Sequence, residues 1–349
     1  MQCALAAAGA WWVATDVIGH QRPFFAPIAA VVSLGVSLGA RLRRSVELVA
    51  GVTVGIAIGD LLISGIGTGV WQIALVVAIA MSIAVLVDGG PIISMQAAGS
   101  AVLVATLVQP GTHAGFDRAL DALAGGLVGI LVVAVVPTHP VHRARKEAAD
   151  IVGAAGEVLR MCADGLVAQD TKPIVEGLKK ARSLQPKIDE LRSSLAGGRE
   201  ISRISPLYWN TRGRLERLAR TADPIDNAIR NIRVLVRRSL SLVRDDEILD
   251  PRLVDEVEKL SQAVDVVRQM ILSDPGEQPD QAEAARVLRS VAFGARFELV
   301  EGAGLSANVV LGQLRSTIVD LLQVTGVERI SALATLPPTV PHPYVEPET

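Results

Sequence analysis

Apolar residues run almost unbroken through six stretches of the first 140 residues, at about 2–18, 23–39, 45–63, 70–87, 92–108 and 118–136. A run near 20 residues is about 30 Å of helix, the thickness of a bilayer's hydrocarbon core. Breakers separate the runs. Ser64–Gly69 is a glycine-rich loop, Asp88–Pro91 holds two glycines and a proline, and Gln109–Asp117 is a longer polar connection. Pro137 and Pro140 end the sixth run, because proline lacks the N–H that helix continuation needs.

From Val141 the pattern becomes amphipathic. Ile229, Ile232, Leu235, Val236 and Leu240 recur every three or four positions, with Arg230, Arg233, Arg237 and Arg238 on the wet face. The same period predicts helices over Val141–Val167, Pro173–Leu195, Pro251–Ile271, Asp280–Leu299 and Gly304–Thr325, with one or two more inside Arg203–Val243. Asp250 before Pro251 reads as a cap followed by a first-turn proline. From Pro337 the proline-rich tail reads as extended and disordered. No strand-like alternation occurs. The expected fold is all-α: a polytopic six-helix transmembrane domain over 1–140, a cytoplasmic α-helical domain over 141–336 and a tail over 337–349.

Charge divides the chain at the same place. Residues 1–140 hold five Lys/Arg and six acids, while 141–349 hold 29 and 30. Arg41, Arg43 and Arg44 form a basic clamp between spans two and three, and His142–Lys146 form a second after span six. Basic segments stay in the cytoplasm, so both termini are cytoplasmic and the loops at 19–22, 64–69 and 109–117 face outside. Met1 falls inside span one, which allows for a preceding segment. A net charge of −2 and the lack of any recognition motif argue against nucleic acid. Cys3 and Cys162 read as free thiols. No P-loop, no Gly-x-Ser-x-Gly elbow and no zinc set is present, so neither an enzyme nor a cofactor is expected. His139 and His142, with no third ligand, read as residues flanking Pro140.

One hairpin, 23–60, is motif-like. Phe25, Ala26, Pro27, Ile28, Ala30, Val31 and Val32 are followed by Gly39, by Arg41, Arg43 and Arg44, and by a span in which Gly51, Gly55 and Gly59 share one helix face. This hairpin resembles the fusaric acid resistance/aromatic acid exporter family, and the likeness extends more loosely over all six spans and the helical domain. Leu48 and Val52 stand where family members often have Arg and Thr. The resemblance implies a six-span unit working as a homodimer in the plasma membrane. It also implies proton-driven efflux of small aromatic or amphiphilic acids.

An ionisable group inside a bilayer costs roughly 3 kcal/mol or more. Asp16, Asp60 and Asp121 lie about one turn from the outer ends of spans one, three and six. Two readings stay open. They are solvated among the headgroups, or they line an outward vestibule and carry protons. Asp121, Gly125 and Gly129 share a face, and Asp60 follows Gly59, so the two glycine faces are expected to pack together and bring the acids near each other. Arg118 reads as a local ion pair with Asp117 and Asp121, and Arg22 beside His20 as an interface anchor. Against transport stands a second reading, a membrane-anchored scaffold whose helical domain binds a cytoplasmic partner.

Overall fold

A computed structural model describes residues 2–20, 23–37, 42–87, 91–107, 115–135, 140–204, 212–274 and 279–346. Among them the regular structure is entirely helical. The chain forms two compact units, Met1–Thr138 with Ala196–Arg212, and His139–Leu195 with Gly213–Thr349.

In the first unit a helix occupies each hydrophobic stretch: α1 (Gln2–Trp12), continued by a π-helical turn (Val13–Val17), then α2 (Phe25–Ser37), α3 (Leu42–Ile66), α4 (Val70–Val87), α5 (Pro91–Leu107) and α6 (Gly115–Val135). α3 begins at Leu42, so Arg43 and Arg44 belong to its first turn and not to a loop; their side chains, and all of Arg41, lie outside the described residues. α2 packs on α6, α3 on α5 and α6, and α4 on α5, while α1 rests on α2 and α6.

This unit buries many small residues and leaves several large apolar ones exposed, beside buried Phe25, Ile56 and Ile63. Ala6, Ala10, Ala14, Ala26 and Ala30 meet in one buried cluster with only Leu34 as a larger member. Leu123, Leu127 and Leu131, four residues apart on α6, are exposed, as are Leu61, Leu86 and Met95. Small residues let helices approach closely where burial from water is not the driving force. Among the described residues no helix is long and apolar enough to cross a membrane. α4 comes nearest, with 18 residues and no charge, or about 27 Å. The longer α3 and α6 carry charged residues, among them Asp60 and Asp121.

The second unit is built from α7 (Pro140–Ala168), α8 (Thr171–Arg182), α9 (Gln185–Ile204), α10 (Arg212–Arg220), α11 (Ala222–Arg244), α12 (Pro251–Leu272), α13 (Gln281–Gly294), α14 (Leu305–Val324) and α15 (Arg329–Ala334); α9 and α10 each place residues in both units. α7 packs on α12 and α11 on α14 around one continuous apolar core. Asp170, Asp250 and Asp280 cap their helices by accepting from the backbone N–H of Lys172, Arg252 and Glu283. The helix expected over Pro173–Leu195 is two: the chain turns at Ser183, whose N–H donates to the Lys179 and Lys180 carbonyls, and restarts at Gln185. Cys3 and Cys162 are both free thiols. Burial pushes the Cys162 thiol up to about 12, which leaves it unreactive at neutral pH.

Asp320 on α14 is buried, and burial raises its carboxyl to about 6 despite a hydrogen bond from Asn231 and the nearby Arg329. Between about pH 4 and 6 the folded chain therefore binds a proton that the unfolded chain does not. Stability from this group is greatest at low pH and falls as pH rises through 6. Asp320→Asn is expected to stabilise the protein at pH 7 by up to about 3 kcal/mol, with the gain vanishing below about pH 4. Denaturant unfolding of both forms at pH 7 and pH 4 checks the sign.

Candidate functional site

The three acids singled out in the sequence sit in different surroundings. Asp16, in the π-helical turn, is exposed and accepts from Thr15 Oγ1 at 2.7 Å. Asp60 is half-buried on α3 and has a partner of its own. Asp121 is 3% exposed. His20 Nδ1 lies 2.6 Å from Asp121 Oδ1, and His20 Nε2 lies 3.6 Å from Asp117 Oδ1. Asp117 is largely exposed, so one imidazole links a buried carboxylate to a wet one.

His20 reaches this position through the end of the first helix. Ile18 N–H donates to the Val13 carbonyl and His20 N–H to the Ala14 carbonyl, each at 3.0 Å. Between them Gly19 takes φ +89°, a left-handed conformation that reverses the chain. A Cβ at Gly19 would meet no atom within 4 Å, so the cost of a side chain there is backbone strain alone. Gly19→Ala is expected to destabilise by about 1 kcal/mol and to loosen the His20–Asp121 contact; thermal unfolding and the imidazole NMR signals of His20 test this.

The glycine faces do not meet each other as the sequence suggested. Gly51 is buried, a Cβ on Gly55 would fall 2.6 Å from the Ala97 carbonyl oxygen, and one on Gly59 would fall 3.2 Å from Val104 Cβ, so this face takes α5. A Cβ on Gly125 would collide with the Ala26 carbonyl oxygen, and one on Gly129 with Ser33 Oγ, so that face takes α2. Each face is already filled, and α3 and α6 meet through Val52, Ile56 and Ala122, beside Phe25 and Ala29.

His20 was missed as a site residue because sequence distance hides it, 101 positions from Asp121. The available signal is topological: the pattern of basic segments puts the loop holding His20 and the start of the sixth span on the same side. The Arg118 side chain lies outside the described residues. Among the described residues no group of three or more His, Cys, Asp or Glu is placed to hold a metal.

The helices of the first unit pack closely and carry few charges, and among the described residues they bring the part-buried His20 against the buried Asp121. A family model described as fusaric acid resistance protein-like matches residues 9–132. An uncharacterised protein of Corynebacterium glutamicum is 38% identical over 99% of this chain and 89% of its own length. Proteins of Mycobacterium tuberculosis and Mycobacterium bovis, each named as a candidate arylamide transporter, are 31% identical over 227 residues, 63% of this chain and 64% of theirs. The chain belongs to the fusaric acid resistance protein-like family. The family and the relatives' names point to transport and not to an enzyme.

Proposed function

We propose that this chain is an integral membrane secondary transporter, exporting small aromatic carboxylates or related amphiphilic compounds at the expense of the proton gradient. It works as a homodimer in the cytoplasmic membrane. Residues 1–140 form six spans with both termini in the cytoplasm, and 141–336 form the cytoplasmic helical domain. The outward leucines of α6 face lipid.

The observation that carries this reading is the His20–Asp121 pair. An imidazole has two ring nitrogens, so it can accept a proton at one and release one from the other. Held against a buried carboxylate, it can pass a proton between Asp117, at the wet end, and Asp121 inside the bundle. Loading and unloading that proton changes the charge among α1, α2 and α6, and so biases the packing of helices that move during transport. The name of the mycobacterial relatives, arylamide transport, supports a small aromatic cargo.

The test is flux of labelled hydroxybenzoates in proteoliposomes, with and without an imposed pH gradient. Flux that rises with the gradient supports the proposal, and flux indifferent to the gradient removes the proton coupling. No flux across a broad panel, from protein shown to be folded, returns the weight to the membrane-anchored scaffold.

A further inference from the structure

The second unit holds a cavity of about 560 Å³ between α11, α14 and α15, within the ordinary size range of small-molecule sites. Its lining combines three cations and one acid with neutral hydrogen-bonding groups and an apolar wall: Arg230, Arg315, Arg329 and Asp320, then Asn227, Asn231 and Ser316, then Val319, Leu333 and Leu336, with Gly312 between them. The cations are not balanced. Arg230 donates to the buried Asp226, which also takes Arg192. Arg329 stands 3.9 Å from Asp320. Arg315 donates only to main-chain carbonyls, those of Ala295 at 2.6 Å and Pro337 at 2.7 Å, and has no carboxylate partner among the described residues. Desolvation without a counter-ion holds its guanidinium below the usual arginine range. A half-buried guanidinium satisfied only by carbonyls, at the wall of a cavity with an apolar side, leaves unfilled a position that suits an anion.

We propose that this pocket binds a small amphiphilic carboxylate, its charged end toward Arg315 and Arg329 and its apolar body against Val319, Leu333 and Leu336. The site lies wholly in the second unit and stands apart from the transport reading.

Calorimetric titration of the full-length protein in detergent with benzoate, neutral benzamide and inorganic phosphate tests it. Saturable benzoate binding is expected, with benzamide and phosphate at least tenfold weaker. Three variants then locate the site. Arg329→Gln, at an exposed position, is expected to weaken benzoate at least fivefold. Asp320→Asn, which removes the competing carboxylate, is expected to strengthen it by a similar factor. Gly312→Leu is expected to abolish it, because a Cβ at Gly312 meets nothing within 4 Å and the longer side chain fills the cavity without disturbing α14. Unchanged thermal unfolding of Gly312→Leu shows that the fold survives. No saturable binding overturns the proposal, as does phosphate binding as tightly as benzoate. Benzoate binding that survives Gly312→Leu but is lost in Asp121→Asn belongs to the first unit and also overturns it.

Discussion

Asp121→Asn is expected to reduce gradient-driven flux by roughly 100-fold, the lower end of what a positioned proton-transfer group contributes elsewhere, while leaving the protein folded. The amide matches the carboxylate in size, and its oxygen can still accept from His20, whose Nδ1 lies 2.6 Å from the present carboxylate. What the change removes is the capacity to hold a proton at a buried position. His20→Gln is expected to produce a loss of similar size, because the exposed Asp117 then has no imidazole linking it to the buried Asp121. The double variant should be no worse than either single one, since both act on one proton path and their effects do not add. Among the acids the expected order of effect is Asp121, then Asp60, then Asp16, following their burial. Gradient-dependent flux in Asp121→Asn within about threefold of the parent would discard this site, because removing a positioned proton-transfer group is expected to cost roughly 100-fold.

The helices were legible for a simple reason. Uncharged runs ended by glycine and proline leave few alternatives, and α4 falls at the residues its pattern marks, Val70–Val87. Boundaries set by competing local interactions were harder. The amphipathic period runs through Ser183, and only the pairing of its N–H with two carbonyls, ahead of Pro186, separates α8 from α9. α15, six residues long, is too short to show a period. Asp121 stood out as an isolated acid in an apolar run. Its partner did not, because the contact depends on one left-handed residue, Gly19, that turns the chain back toward α6. The glycine spacing announced a close neighbour for α3 and for α6 but carried no information on which neighbour. A face of small residues is complementary to any helix of similar shape, and the choice among partners is made by the whole bundle.

Gly125→Ala should be among the most destabilising single substitutions in the first unit, costing about 3 kcal/mol or more. The added Cβ would fall on the main chain of Ala26, and a backbone carbonyl cannot swing aside as a side chain can. α2 and α6 must separate, and Asp121 is one turn away on the same face of α6. Gly129→Ala should cost less, since the nearest obstacle is the rotatable Ser33 hydroxyl, although the Ala30 carbonyl oxygen at 2.9 Å still crowds it. Gly99, on α5, has nothing within 4 Å of its Cβ position, and Gly99→Ala should be neutral or stabilising by about 0.5–1 kcal/mol. Thermal unfolding of the three variants in one detergent gives this ranking directly, and a Gly125→Ala protein as stable as Gly99→Ala would rule out the close α2–α6 contact. Flux separates the two kinds of loss. Gly125→Ala should lose transport together with its fold, whereas Asp121→Asn should lose transport with the unfolding temperature intact, because the first removes the packing that holds the proton site and the second removes only the proton.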